Sequence, residues 1–198
     1  MIIISYYTEN TPYEQVMNTR LRPSLEKWGL KHYIEAVPDF GDWYRNTSYK
    51  SKFVQKCLKK FQEDVVFLDS DATIEEYPEL LYNMPDEVDV GVHYLDWCKF
   101  WRNQDGQNNM HMLSGTMFMR FNRDVLEVVE DWVEQCDNAI GTWEQKILQE
   151  ILKETTAVNI LDLPASYCAI VKSDGTIPEY VGEPVIKHWQ ASRQYKTK

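Results

Sequence analysis

The sequence predicts an α/β fold in which a mixed, mostly parallel β-sheet is flanked by helices. Residues 2–7 form a short run of branched and aromatic side chains, the pattern of a strand buried on both faces; residues 65–68 are a second apolar run, and residues 32–37, which end before Pro38, are predicted as a strand between them. Segments with apolar residues at helical spacing separate these runs. Because crossover connections have one hand, this alternation of strand and helix places the three strands parallel in one sheet.

Two helices are predicted between these strands. The first begins at Pro12, which suits the first helical position after a polar turn at residues 8–11, and its apolar residues recur as far as Leu25. The second is predicted over residues 49–61, with apolar side chains on one face and lysines on the other. Residues 39–48 are predicted to form a polar loop that precedes the second helix.

The rest of the chain continues the same architecture. Further strands are predicted at residues 89–94, 115–121 and 159–163, and the second of these has the alternation typical of an antiparallel strand. Helices are predicted at residues 123–136 and 142–154, with Thr142 as the cap of the latter, and residues 173–198 are predicted to be mostly irregular. No linker or repeat divides the sequence, so residues 1–198 are expected to form a single domain.

Net charge, cysteine spacing and the length of the apolar runs disfavour several classes of protein. A formal net charge of −10 disfavours a broad electrostatic contact with duplex nucleic acid or with an anionic membrane. The four cysteines have no close pair that would predict a zinc or redox motif, so we expect free, mostly buried thiols. The N-terminal apolar run is too short for a signal peptide, and no span is long enough for a membrane helix. These features predict a cytoplasmic protein.

Two carboxylates, Asp69 and Asp71, directly follow the apolar run at residues 65–68, with Ser70 between them. Ligands of parallel sheets collect at the carboxyl ends of the strands. Two carboxylates at such a position can hold a hard divalent cation that keeps open positions for phosphate oxygens. The alternative is a polar turn that contains two aspartates by chance.

An aromatic-rich polar segment extends over residues 94–112. Tyr94, Trp97, Trp101 and His111 lie in it, and aromatic rings can stack on a sugar or on a base. A long loop in a small domain is commonly functional, which favours an acceptor-side loop or a lid. Local packing of the same rings is the alternative.

Several short motifs occur along the chain in an order that resembles one known family. The longest is VVFLDSDATIEEYPELL at residues 65–81, and the others are SYYT at 5–8, YKSKFV at 49–54, LSGTMFM at 113–119, WEQKIL at 143–148 and IKHW at 186–189. Together they resemble the small GT-A type glycosyltransferases that use nucleotide-diphospho-sugars, in particular the glycogenin and galactosyltransferase group. The resemblance implies a GT-A, Rossmann-like domain and transfer of a hexosyl or pentosyl group.

The resemblance also implies roles for individual residues. Asp69, Asp71 and His188 would bind Mn²⁺ or Mg²⁺, and the histidine favours manganese. Glu144 and Gln145 would lie at the reacting face, with glutamate in place of the family's usual aspartate. The remaining positions would bind the nucleotide-sugar donor: Tyr6, Tyr7, Thr8, Lys50, Ser70, Ser114, Gly115 and Lys196. Arg193 is a further cation near the expected phosphate position.

Other interpretations of the sequence remain open. A nucleotidyltransferase would also bring a metal and a nucleotide to a similar sheet, although it usually has a glycine-rich loop after the first strand, and SYYTENTPYEQ has no glycine. A non-catalytic nucleotide-binding or carbohydrate-binding module is the second alternative. The acceptor could be a sugar, a protein, a lipid-linked glycan or a modified nucleobase. Inversion at the anomeric carbon would require a base, for which Glu144 and Asp96 are the candidates.

Overall fold

The computed structural model describes residues 1–101, 110–139 and 141–195. Its strands are β1 (Ile2–Thr8), β2 (His32–Val37), β3 (Val65–Leu68), β4 (Ala72–Ile74), β5 (Val90–Asp96), β6 (Met110–Met119), β7 (Ile160–Asp162), β8 (Ala169–Ile170) and β9 (Ile186–His188). Its helices are α1 (Pro12–Thr19), α2 (Leu21–Lys27), α3 (Trp43–Phe61), α4 (Glu79–Tyr82), α5 (Trp97–Trp101), α6 (Arg123–Asn138), α7 (Glu144–Glu154) and α8 (Ser192–Tyr195). In the described part of the chain, every helix is too short or too polar to cross a bilayer.

Six strands form the main sheet, in the order β2-β1-β3-β6-β5-β7. The pairs β1/β2, β1/β3 and β5/β7 are parallel, whereas β6 runs antiparallel to both of its neighbours. The predicted mixed, mostly parallel sheet is therefore confirmed, as is the antiparallel character of the strand that contains residues 115–119. A second, small sheet has the order β4-β9-β8.

Apolar side chains fill both faces of the main sheet. On one face, α3, α6 and α7 pack against the strands, and the fully buried ring of Trp132 lies in this layer. On the other face, α1 and α2 cover the sheet through buried residues such as Met17 and Leu25. Burial on both faces explains why β1 and β3 have continuous apolar runs instead of alternation.

The helix predicted from Pro12 to Leu25 is broken into α1 and α2. The break is at Arg20, whose backbone angles (φ −122°, ψ −80°) lie outside the helical region. The prediction of a polar loop at residues 39–48 is also wrong in its second half, because α3 begins at Trp43. Asp42 precedes this helix and accepts a hydrogen bond from the backbone N–H of Arg45 at 2.9 Å, so the side chain caps the first turn.

Two further predictions differ from the structure. The aromatic-rich segment is not one loop, since its ends belong to β5, α5 and β6; its residues 102–109 lie outside the described part of the chain. Helix α7 begins at Glu144 with Trp143 at its N-cap, so Thr142 is not the cap. The segment from residue 173 is mostly irregular in its described part, as predicted, apart from short elements that include β9 and α8; pairing with β4 makes β9 a strand.

Candidate active site

The turn after β3 carries the two aspartates to the carboxyl edge of the sheet. The backbone N–H of Asp69 donates to the carbonyl oxygen of Gly115 on β6 at 2.9 Å. The Asp69 carbonyl oxygen then accepts a hydrogen bond from the N–H of Ala72, also at 2.9 Å, which closes the turn into β4. The Asp-Ser-Asp segment is thus held at both ends by backbone hydrogen bonds.

Pairing of β4 with β9 brings a histidine to the same place. Ala72 lies opposite His188 in the antiparallel register, and His188 Nδ1 is 3.7 Å from a carboxylate oxygen of Asp71. One ligand atom from each of Asp69, Asp71 and His188 lies within 4.8 Å of the other two. The three residues predicted to be metal ligands therefore form one cluster.

The histidine ring is fixed from its other side. His188 Nε2 forms a 2.8 Å hydrogen bond with Thr116 Oγ1, and the imidazole is almost completely buried. When Nε2 carries the proton and donates to Thr116, the Nδ1 lone pair is available to a metal ion. The two oxygens and one nitrogen fit a divalent cation such as Mn²⁺, which accepts both ligand types.

In the cluster, neighbouring charges and burial act on the pKa values in opposite directions. Burial alone would lower the pKa of His188, but Cys168 and Asp71 favour the charged ring, and the pKa rises to about 10. Burial likewise acts to raise the pKa of Asp71, yet His188, the Ala191 N–H and Arg20 hold it below its usual value. The pKa of Asp69 is raised, because burial and the Asp71 charge outweigh the lowering effect of Lys50. In the metal-free protein, a protonated His188 thus compensates part of the negative charge.

Gly115 lies against the cluster of Asp69, Asp71 and His188, which leaves no space for a side chain at this position. A Cβ atom at this position would lie 2.8 Å from His188 Cε1, 2.9 Å from Nδ1 and 3.2 Å from an Asp69 carboxylate oxygen. Real Cβ atoms do not approach heavy atoms at 2.8 Å. The side chain missing at Gly115 therefore makes room for a candidate metal ligand, in addition to any contact that the backbone makes with a sugar.

Lys50 lies at the centre of a buried polar network. Its ammonium group is 3.0 Å from Asp69 Oδ1 and 3.2 Å from Glu144 Oε1, and it donates to Ser114 Oγ at 2.9 Å. Burial alone would lower the pKa of Lys50, but the two carboxylates raise it, so the amine stays charged. Lys50 thus connects the metal cluster with the residues at the start of α7.

Ser114 completes the connection. Its hydroxyl donates to Glu144 Oε1 at 3.0 Å, and its backbone N–H donates to Gln145 Oε1 at 3.1 Å. The fully buried Trp132 donates its indole N–H to the carbonyl oxygen of Glu144 at 2.8 Å, which fixes the start of α7 from below. Glu144 and Gln145, on α7, are therefore held against β6 beside the metal cluster.

A cavity of about 430 Å³ opens over this network. Ten of the predicted site residues line it: Tyr6, Tyr7, Thr8, Lys50, Asp69, Ser70, Asp71, Ser114, Glu144 and Gln145. His188 and Gly115 lie behind the wall, and Lys196 lies outside the described residues.

Comparison with known proteins assigns the family. A sequence model described as "Nucleotide-diphospho-sugar transferase" matches residues 32–198. The chain belongs to the nucleotide-diphospho-sugar transferase family. A search of curated proteins finds no match.

Solved structures of glycosyltransferases share the transferase fold over the whole chain. A glycosyltransferase involved in glycosylation of the major capsid of the virus PBCV-1 is 18% identical, with a TM-score of 0.69, over 98% of this chain and 96% of that one. Mouse xyloside xylosyltransferase 1 is 12% identical (TM-score 0.57; coverage 97% and 99%). The galactosyltransferase LgtC, solved with donor and acceptor sugar analogues, is also 12% identical (0.54; 96% and 87%). At these identities the likeness establishes the GT-A fold alone.

The three residues predicted to hold the nucleoside differ in burial and in contacts. Tyr6 packs among Tyr49, Phe53 and Phe67, and its hydroxyl donates to the carbonyl oxygen of Asn46 at 2.8 Å. Thr8 Oγ1 shares a 2.8 Å hydrogen bond with the hydroxyl of Thr11, the residue that caps α1. Tyr6 and Tyr7 are both partly buried, whereas Thr8 is buried.

The cavity also contains residues that the sequence analysis did not select. They come from the first turn of α1, the start of α3, the residue before α7 and the turn before α8: Tyr13, Trp43, Asn46, Thr47, Trp143, Gln190 and Ser192. Most of these residues lie at or near the start of a helix, a position at which ligands of α/β sheets often bind. At α3 this position was missed because residues 39–48 were predicted to be a loop. Arg193, noted as a nearby cation, lines the cavity too.

The aromatic-rich segment is only partly at the site. Trp97 lines the cavity, whereas Tyr94, Trp101 and His111 do not belong to its wall in the described residues. Asp96, a candidate base, is also outside the wall, and its carboxylate accepts the backbone N–H of Cys98 at 2.9 Å. This hydrogen bond caps the turn into α5.

Proposed function

We propose that this family member is a metal-dependent glycosyltransferase that moves a sugar from a nucleoside-diphosphate-sugar to an acceptor hydroxyl. The cluster of Asp69, Asp71 and His188 carries the proposal, because it lies at the carboxyl edge of the sheet beside a cavity with further polar groups. A divalent cation bound there, Mn²⁺ or Mg²⁺, would act as a Lewis acid on the leaving diphosphate.

The protein's own cations would complete the stabilisation of that leaving group. Arg193 lines the cavity next to the metal cluster, and its guanidinium suits bidentate contact with phosphate oxygens. Lys50 is already surrounded by Asp69, Glu144 and Ser114, so we assign it to positioning these groups around the donor sugar as well as to attracting the diphosphate. A preorganised charge network of this kind lowers the cost of charge development during transfer.

Glu144 and Gln145 would orient the reacting face of the sugar. Because Glu144 Oε1 already contacts Lys50 and Ser114, the arrangement suits a residue that positions the donor better than a free general base. This favours retention of configuration at the anomeric carbon. The transferred sugar is a hexose or a pentose in this proposal, as the family resemblance implies.

The test is hydrolysis of nucleotide-sugars without an acceptor. We expect the wild type to release nucleoside diphosphate from one member of a panel of nucleotide-sugars, with Mn²⁺ present and not with excess chelator. Asp71→Ala should lose this activity by at least about a hundredfold, in line with the loss of one electrostatic catalytic contact. Asp131→Ala, an exposed aspartate on α6, is the matched control and should retain full activity.

A nucleotide-binding or carbohydrate-binding module would give the opposite result. Such a protein would bind a nucleotide-sugar without releasing nucleoside diphosphate. The transferase proposal would then be abandoned in favour of a binding function on the same fold.

A further inference from the structure

Three tryptophans from separate elements line the cavity on the side of the reacting face. Trp43 belongs to the first turn of α3, Trp97 to α5, and Trp143 directly precedes Glu144 at the N-cap of α7. Trp143 is 46% exposed, and its ring meets that of Trp43 edge to face at a centroid distance of 5.8 Å. A large indole with this much exposed surface beside a polar site can stack on a ligand.

A second aromatic pair extends the same surface. The rings of Trp97 and Trp101 are nearly parallel, with an interplanar angle of 15° and a centroid distance of 6.4 Å, and Trp101 is 50% exposed. Phe100, which is buried, supports Trp97 from below with an edge-to-face contact at 5.3 Å. The indole of Trp97 is thus supported on two sides and presented at the cavity.

Uncharged polar side chains line the same cavity as the three tryptophans, namely Asn46, Thr47 and Gln145. Among the described wall residues, the cations are Lys50 and Arg193. Lys50 is paired with Asp69 and Glu144, and the Arg193 guanidinium lies 5.8 Å from the centroid of the Trp101 ring. The net charge of −10 disfavours an acceptor that carries phosphate.

We infer that Trp43, Trp97 and Trp143 form the acceptor subsite and that the acceptor is a neutral saccharide. The inference rests on the proposed transferase function and names the substrate class of the same cavity. The apolar C–H face of a pyranose packs on an indole ring, and its hydroxyls hydrogen-bond to amide and hydroxyl side chains. Since Trp143 adjoins Glu144 and Gln145, a saccharide on its ring would present a hydroxyl at the reacting face.

The experiment measures transfer to three classes of acceptor in the presence of Mn²⁺ and the donor that the wild type hydrolyses. The acceptor probes are methyl glycosides and neutral oligosaccharides, peptides containing serine and threonine, and a short polyprenyl phosphate. We expect transfer to a neutral saccharide only. Transfer to the peptide or to the polyprenyl phosphate, with none to a saccharide, would overturn the inference, as would donor hydrolysis without transfer to any saccharide.

Variants then test the tryptophans themselves. Trp143→Ala and Trp43→Ala should each raise the KM for the saccharide at least about fivefold, with a smaller effect on kcat, because an aromatic contact is lost. Trp143→Phe, which keeps an aromatic ring, should recover most of the wild-type KM. Tyr77→Ala, which removes a 41% exposed ring outside the cavity wall, is the matched control and should change neither parameter.

The two levels of the proposal fail separately. If no nucleotide-sugar is hydrolysed, the transferase function fails and the acceptor inference fails with it. If hydrolysis and saccharide transfer occur but the alanine variants keep the wild-type KM, the transferase function stands and the tryptophan subsite is wrong. Circular dichroism and cooperative unfolding of each variant establish that the changes do not come from misfolding.

Discussion

Gly115 determines how closely β6 and β9 can approach each other at the candidate metal site. Gly115→Ala would place a methyl group 2.8 Å from His188 Cε1, so the imidazole must shift. We expect a loss of about 1–3 kcal/mol in the free energy of unfolding, together with loss of the stabilisation by Mn²⁺ and nucleotide. Chemical denaturation and thermal unfolding measure the two effects.

Gly91 provides the control for this substitution. A Cβ atom there would lie 3.2 Å from side-chain atoms of Leu163 and Phe118, away from the metal cluster. Gly91→Ala should therefore cost stability through crowding and still respond to metal and nucleotide. An equal metal response in both variants would contradict the role assigned to Gly115.

Lys50 is expected to be structural as well as functional. Lys50→Met leaves the carboxylates of Asp69 and Glu144 beside each other without their cation. Breaking a buried ion pair in this way should lower the free energy of unfolding by about 3 kcal/mol, measured by urea denaturation. Lys52→Met is the matched control on the same helix: Lys52 is 49% exposed, pairs with Asp137, and should cost no more than about 1 kcal/mol. Equal losses in both variants would exclude the buried network as a source of stability.

At the residue level, the sequence predicted the identity of the acidic pair better than its surroundings. An apolar run followed by Asp-Ser-Asp is a local pattern, and β3 indeed ends at Leu68. His188 was selected only through the family resemblance, since β9 has three residues and no periodicity of its own. The hydrogen bonds and the ion pair among Lys50, Ser114 and Glu144 join positions up to 94 residues apart in the chain, and no local pattern encodes such contacts.

At the level of elements, the first two turns of α3 bring Trp43, Asn46 and Lys50 to the cavity wall. Asp42→Ala removes the side-chain acceptor of the Arg45 N–H, so the free energy of unfolding should fall by about 1 kcal/mol in urea denaturation. Asp42→Asn keeps an oxygen acceptor and should restore most of the loss. If the alanine variant is as stable as the wild type, the cap does not stabilise the first turn.

The missed start of α3 has a physical explanation. Residues 43–48 are largely polar and lack the apolar spacing that marks the rest of the helix, because this turn projects beyond the sheet beside the cavity. The N-cap residue Asp42 was the available signal. Parallel strands and amphipathic helices were predictable because packing in the core gives their sequences an apolar periodicity. The turns that border the site lack this periodicity, because their side chains face the cavity and not the core.

At the scale of the whole molecule, burial in the two layers of the core should protect the thiols. Burial raises the pKa of Cys57 to about 12 and that of Cys136 to about 11, and Cys168 is buried as well. Cys98 is partly exposed on α5. In a titration of the native protein with a thiol reagent at pH 8, we expect fast modification of Cys98 alone and modification of all four thiols after unfolding.

A serine variant identifies the reactive thiol. Cys98→Ser should abolish the fast phase and leave the slow phase unchanged. Fast modification that persists in this variant would mean that the packing of α3 and α6 over the sheet is looser than described.

The central claim is that Asp69, Asp71 and His188 hold a divalent cation that recruits a nucleoside diphosphate. The most direct measurement is the melting temperature of the wild type, of Asp71→Ala and of the control Asp131→Ala, with a panel of nucleoside diphosphates and with or without Mn²⁺. A ligand that binds only the folded state raises the melting temperature by mass action. We predict that one nucleotide stabilises the wild type and the control only with Mn²⁺, and that it does not stabilise Asp71→Ala. Equal stabilisation of all three proteins, or of none, would contradict the claim. Asp69 and Asp71 would then be part of a polar turn that does not bind metal.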